Sequence, residues 1–140
     1  MKLIHILLVE DNEGDIVLTM EALNESRIIN KLSIVRDGWD ATQFLDKKGK
    51  YSHEDSPDLI LLDVNLPKMN GHEVLSLIKS NERTKHIPVI MLTTSSSEKD
   101  IYQSYKNHVN CYITKPVDAH NFLQVVASIE NFWISIVTLP

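Results

Sequence analysis

The sequence predicts an α/β fold, a doubly wound parallel sheet of five strands with helices on both faces. Three observations carry this. The run Leu59-Ile60-Leu61-Leu62 ends in Asp63 and is followed by Asn65, Pro67 and the turn pair Asn70-Gly71. An apolar run of that length, bounded by turn signals, reads as a strand buried on both faces. Strand-like and helix-like stretches then alternate five times along the chain, which calls for parallel strands joined by right-handed crossovers. Finally, 140 residues with 43% hydrophobic content suit one compact domain with a core of its own.

Each element follows from its local pattern. Residues 3–9 form a first buried strand that runs into Glu10-Asp11-Asn12. Residues 15–27 place Ile16, Met20, Leu23 and Arg27, with Val17 beside them, at helical spacing. Residues 31–36 alternate Leu32, Ile34 and Arg36 against Ser33 and Val35, as a strand does. Asp37 is placed to cap a short helix that turns Ala41, Phe44 and Leu45 inward. Residues 47–57 are polar, contain Gly49 and Pro57, and read as a surface loop. The third strand spans 58–63, and a helix over 71–80 follows with Val74, Leu75 and Ile78 at core spacing. Residues 88–92 make the fourth strand, with Thr93 directly after it. A polar helix over 98–106 has Ser97 and Asp100 in a capping-box relation. Residues 110–114 make the fifth strand, stopped by Lys115-Pro116. The last helix starts near Asp118 and holds an apolar period through Phe122, Val125, Val126, Ile129, Phe132, Trp133 and Ile136. Trp39 reads as packing.

Bulk properties exclude several function classes. A net charge of −5 argues against a nucleic-acid partner. One cysteine, Cys111, excludes a disulfide framework and a Cys-based zinc site within one chain, and fits a reducing, cytoplasmic location. The N-terminal apolar run is short, holds His5, is followed by acids, and lacks a small-residue cleavage site, so it is not a signal peptide. No apolar stretch reaches the roughly 18 residues of a transmembrane helix, so no membrane partner is expected.

The chemistry gathers at the strand ends. The first strand delivers Glu10 and Asp11, the third Asp63, the fourth Thr93 and the fifth Lys115. In a parallel sheet these ends share one edge, where ligands bind. Three carboxylates in one crevice repel, and are tolerated with a cation present or with raised pKa values. Hard oxygen donors suit Mg2+, which takes one or two carboxylates plus water and phosphate oxygens. With one lysine and one hydroxyl added, the set describes a site for a phosphoryl group beside a metal. Taken singly, Asp63 is a helix-preceding cap, Glu10-Asp11 a solvated turn, Thr93 a strand-end residue and Lys115 a surface lysine. Their joint placement overturns each of these.

The constellation resembles the receiver domain of bacterial response regulators. It is carried by Val9-Glu10-Asp11-Asn12, Leu62-Asp63 with Leu66-Pro67, Asn70-Gly71, Thr93, and Tyr112-Ile113-Thr114-Lys115-Pro116, and it covers residues 1–140 as one domain. His108-Val109-Asn110-Cys111 before Tyr112, and Phe132-Trp133-Ile134-Ser135 with Thr138-Leu139-Pro140, look like the single-domain regulators that partner cyanobacterial phytochromes. The light input of that subgroup is not carried over. The resemblance implies a flavodoxin-like (βα)5 fold with strand order 2-1-3-4-5. It implies that Asp63 accepts a phosphoryl group from a histidine kinase, that Asp11, Asp63 and the backbone carbonyl of Asn65 ligate Mg2+, and that Glu10 acts through water. Lys115 would pair with the acyl phosphate, Thr93 would move to a phosphoryl oxygen, and Tyr112 would follow as the second switch residue. Asn65 and Ser95 lie where receivers tune the lifetime of the phosphoryl group.

Two alternatives compete: a haloacid-dehalogenase-like phosphatase, and a receiver-fold binding module that works without phosphorylation. The phosphatase typically has a second Asp two residues after the nucleophile, where this chain has Asn65, and carries its acidic pair late rather than first. A flavodoxin-like electron carrier would need a hydroxyl- and Gly-rich loop after the first strand, where this chain has Glu10-Asp11-Asn12-Glu13. Lacking an output domain after the last helix, the protein is expected to signal to a downstream protein or to a histidine phosphotransfer protein. The apolar stretch 130–140 (Trp133, Ile134, Ile136, Val137, Leu139) suggests a homodimer through that tail and the face of the fourth helix, fifth strand and fifth helix. His5, His53, His72, His86, His108 and His120 show no metal-ligand spacing and read as structural or surface residues.

Overall fold

The computed structural model describes residues 3–28, 30–94 and 111–129. The expected polar helix over 98–106 with its Ser97 cap, Ser95, His108, Asn110 and the apolar stretch 130–140 lie outside them. Among the described residues five strands form one sheet: β1 (Ile4–Val9), β2 (Asn30–Val35), β3 (Leu59–Asp63), β4 (Val89–Thr93) and β5 (Cys111–Thr114). Their order is β2-β1-β3-β4-β5, and every neighbouring pair is parallel. The helices among the described residues are α1 (Glu13–Ser26), α2 (Gly38–Leu45), α3 (Gly71–Ser80) and α4 (Ala119–Ala127). One 3-10 turn, Gly49–Tyr51, interrupts the loop that leads to β3. No described helix is long and apolar enough to cross a membrane.

The central strands are buried on both faces, and successive residues alternate between two cores. Ile6, Leu8, Leu61 and Ile90 face α1 and α4, where Ile16, Leu23, Phe122 and Val126 meet them. Leu7, Val9, Leu62 and Met91 face α2 and α3, where Phe44, Val74 and Ile78 meet them. Each such side chain, fully buried, stabilises the fold by about 1.5–3 kcal/mol. All six residues of β1 and all five of β3 and of β4 are buried, so these strands run as rigid rods to their carboxyl ends.

Helix starts follow side-chain chemistry. Asn12, Asp37, Asn70 and Asp118 each accept a backbone N–H of the first turn and open α1, α2, α3 and α4. Two expectations shift. Met20 and Val17 point outward and are exposed, while Thr19, Ala22 and Ser26 share the inward arc of α1 with Ile16 and Leu23. Hydrophobicity alone selects Met20 and Val17, but the small side chains are the ones that fit where the helix lies close to its neighbours. Trp39 is 54% exposed rather than packed, although Ala41, Phe44 and Leu45 do turn inward. Among the described residues the last helix spans Ala119–Ala127, and the expected continuation of its period through Phe132, Trp133 and Ile136 lies outside them. Ser128 donates its hydroxyl to the Val125 carbonyl at 2.6 Å, and the N–H groups of Ser128 and Ile129 bond three residues back, which tightens the end into a 3-10-type turn.

Candidate functional site

The sheet order makes the crevice. From β1 the chain crosses outward to β2; from β3 it proceeds the other way to β4 and β5, so the winding direction reverses between β1 and β3. Helices on opposite faces diverge there and leave a cleft beyond the strand ends. Val9 pairs with Leu62, which brings Glu10 and Asp63, the next residues of the two strands, side by side. Thr93 pairs with Thr114, which sets Lys115 just past the end of β4. Hydrogen bonds continue the ladders beyond the strands. Glu10 N–H donates to Val35 O at 3.0 Å, Val64 N–H to Leu92 O at 2.9 Å, and Lys115 N–H to Thr93 O at 2.7 Å. The backbone under each functional side chain is therefore held on a neighbouring strand.

Two glycines shape the loop after Asp63. Gly71 N–H bonds Val64 O at 2.9 Å, and a Cβ on Gly71 would stand 2.2 Å from Asp63 O. A Cβ on Gly38 would stand 2.1 Å from Met69 O. The loop is thus gripped between α2 and α3 at a distance only glycine permits. Asn70 then starts α3: its Oδ1 accepts the Glu73 N–H at 3.0 Å, and its Nδ2 donates to Glu73 Oε1 at 2.8 Å. The loop also turns the Asn65 N–H onto Asp63 Oδ1 at 3.2 Å.

The electrostatics of the crevice are severe. Lys115 Nζ lies 2.6 Å from Glu10 Oε1, 3.0 Å from Asp15 Oδ2 and 3.2 Å from Asp63 Oδ2, with its side chain 8% exposed. Glu10 is fully buried. Burial, followed by its contact with the Asp63 carboxyl, pushes the Glu10 pKa up to about 7, although Lys115 opposes this. Burial disfavours the charge on Lys115, yet Glu10, Asp15 and Asp63 together outweigh it and hold its pKa above the ordinary lysine range. One ammonium does not neutralise this set of acids. Glu10, Asp11 and Asp63 offer oxygens that all lie within 4.8 Å of one another, with Asp11 on the solvent side and the other two buried. An underneutralised cluster of hard oxygens, one member open to solvent, fits a divalent cation of the Mg2+ or Mn2+ type.

The strand-end residues singled out in the sequence stand at one sheet edge. Thr93 is buried at the tip of β4. Tyr112 is half-buried, pairs with Met91 and packs against the α2–α3 core, on the sheet face that Thr93 shares by alternation. Asn65 is exposed beside Asp63. Asp15 was not among the predicted site residues. As an acid in the first turn of α1 it carries no sequence signal of its own, and only its contact with Lys115 marks it. Among the histidines, His5 is a core residue bonded to Ser33, and both ring nitrogens of His72 are buried without a hydrogen-bond partner among the described residues. An open groove of about 530 Å³ between α2 and α3, lined by Leu45, Val74, Leu77 and Ile78, shares no residue with the crevice.

Residues 6–127 match the response regulator receiver domain family. Response regulator Rcp1 of Synechocystis sp. is 50% identical over 135 residues, covering 96% of this chain and 92% of that protein. The crystal structure of the phosphorylated cyanobacterial phytochrome response regulator RcpA superposes with a TM-score of 0.80 at 49% identity, covering 96% of each chain. The Mn2+-bound form of Rcp1 superposes with a TM-score of 0.79 at 49% identity, covering 98% of this chain and 99% of that one.

Proposed function

The chain belongs to the response regulator receiver domain family, and on that premise we propose that its phosphoryl group is taken up on Asp63. As a receiver it works in two-component signalling as a phosphoacceptor rather than as a turnover enzyme, it binds a divalent metal, and its partner is a histidine kinase. That membership sets aside the phosphatase and the electron carrier. The observation that carries the assignment to Asp63 is its position: a buried carboxylate at the end of β3, beside Glu10 and 3.2 Å from Lys115 Nζ.

The proposed division of labour follows from charge and reach. Asp11, Asp63 and the Asn65 carbonyl would hold the cation, with Glu10 acting through water, and we assign that cation as Mg2+. When bound, it would supply positive charge to offset the acids and the incoming phosphoryl group. An Asp63 oxygen bonds to phosphorus as the P–N bond of the kinase phosphohistidine breaks, and the imidazole nitrogen keeps the electron pair. Lys115 stabilises the negative charge that arrives with the phosphoryl group, since transfer of this kind depends chiefly on positioning and electrostatics. Thr93 supplies a hydroxyl donor from the tip of β4, and Tyr112 moves with it as the second switch residue, so the added charge biases a two-state surface.

Downstream, the phosphoryl group or the switched surface is read by another protein or by a histidine phosphotransfer protein in the cytoplasm. A net charge of −5 supports the absence of a nucleic-acid partner. A homodimer through the apolar stretch 130–140 and the adjoining face is part of the same proposal. Light scattering before and after phosphorylation tests it, and a monomer in both states removes it. Incubation with acetyl phosphate and Mg2+ is expected to add one acid-labile phosphate mass to the wild type and none to Asp63→Asn. Absence of the added mass in Mg2+-loaded wild type, or equal labelling of the variant, overturns the assignment.

A further inference from the structure

Lys115 serves three carboxylates, and one of them, Asp15, comes from neither β1 nor β3. Asp15 sits in the first turn of α1, where its N–H is fixed on the cap residue Asn12 at 2.9 Å. Its Oδ2 accepts a hydrogen bond from Lys115 Nζ at 3.0 Å, across 100 positions of sequence. Glu10 Oε1 is nearer to the same nitrogen at 2.6 Å, so Asp15 shares the ammonium with Glu10 and Asp63 and draws it toward α1. An ammonium has three N–H donors. A phosphoryl group on Asp63 presents new anionic oxygens that compete for them, and one donor is already committed to α1. The Asp15 side chain is 28% exposed, so water can take over its carboxylate when Lys115 lets go. A first-turn acid that served only the helix dipole would have no need to reach Lys115.

We propose that Asp15 is a positioning residue, which holds Lys115 back toward α1 and so limits how fully the ammonium serves a phosphoryl oxygen on Asp63. This rests on Asp63 being the phosphoacceptor. Asp15→Asn keeps the size of the side chain and removes its charge, so Lys115 swings further into the crevice.

The experiment is a double-mutant cycle on beryllofluoride binding at saturating Mg2+, with folding checked by thermal melts. Asp15→Asn is expected to tighten beryllofluoride on the order of tenfold, the worth of one redirected charge-assisted hydrogen bond. In a Lys115→Met background the same substitution is expected to change nothing, and Asp15→Glu is expected to restore the wild-type affinity. A second readout needs neither metal nor phosphoryl mimic: the 15Nζ resonance of Lys115 in metal-free protein shifts in Asp15→Asn and stays near wild type in Asp15→Glu. Equal effects of Asp15→Asn with and without Lys115, or an unmoved Lys115 resonance, overturn the role of Asp15 while leaving Asp63 intact. Wild type that fails to bind beryllofluoride, or Asp63→Asn that binds it equally well, removes the phosphoacceptor and this role together.

Discussion

The two ends of β1 bury polar groups in opposite ways. At the amino end, His5 is 7% exposed, its Nε2 lies 2.9 Å from Ser33 Oγ, and its ring meets the Phe44 ring edge-on at 6.0 Å. Burial, with Lys31 adding to it, lowers the His5 pKa below the ordinary 6.5 against the opposing pull of Glu54 and Asp58, so the ring is kept neutral. At the carboxyl end, Glu10 is wholly buried against Asp63, which with burial opposes its charge, while Lys115 favours it. One end removes the charge and becomes part of the core. The other keeps charge in excess of its partner and so calls for a ligand. A buried polar residue is structural where its environment holds it in the neutral form, as with His5, even though its Nδ1 has no hydrogen-bond partner among the described residues. It is functional where neighbouring acids leave it unsatisfied until something binds.

The largest test of that contrast is Glu10→Gln. Loss of a carboxylate acting on the metal through water is expected to weaken Mg2+ binding roughly 10- to 100-fold, read by calorimetry. The same variant is expected to melt higher than wild type without metal, because one buried repulsion is gone. A variant that melts lower would make Glu10 a structural residue like His5. Gly71→Ala comes next. Its Cβ would lie 2.2 Å from Asp63 O, so urea denaturation is expected to show a loss of about 1–3 kcal/mol, with slower labelling by acetyl phosphate in the protein that remains folded.

The amino end responds to pH instead. A histidine whose folded pKa is lowered stabilises the fold fully above its unfolded value of 6.5, and that stability is lost as pH falls below it. Wild type is therefore expected to lose melting temperature between neutral pH and mild acid more steeply than His5→Phe, which has no proton to take up there. Equal slopes would place the acid sensitivity elsewhere. The smallest effect is Ser33→Ala, which removes the partner of His5 Nε2 and is expected to cost about 0.5–1.5 kcal/mol, with metal binding unchanged.

Some of this contrast is already visible in the chain. Asp63 closes an uninterrupted apolar run, and Glu10-Asp11 close another, so the crevice acids can be picked out by strand-end position alone. Asp15 escaped because a first-turn acid is indistinguishable from ordinary helix-start chemistry until Lys115 is placed beside it. His5 reads as structural, but its partners Ser33 and Phe44 are 28 and 39 positions away, and no local pattern names them. Met20 and Trp39 misled for the converse reason, since hydrophobicity reports what a side chain prefers and not which arc of its helix meets the sheet.

By itself, the sequence determined the alternation of strands and helices, the cap at Asp37, the helix start at Asp118, and the acids, threonine and lysine that close the strands, while the caps at Asn12 and Asn70 came from the structure. The former are encoded within a few neighbouring residues, where backbone sterics and side-chain hydrogen bonds act. Only the tertiary structure decided that Lys115 divides itself among Glu10, Asp15 and Asp63, that Gly38 and Gly71 grip the loop after β3, and that one end of β1 is neutral while the other is charged. Those outcomes depend on ångström-scale approach between segments far apart in the chain. Both Coulomb and steric energies change steeply over such distances, and composition and periodicity do not encode them.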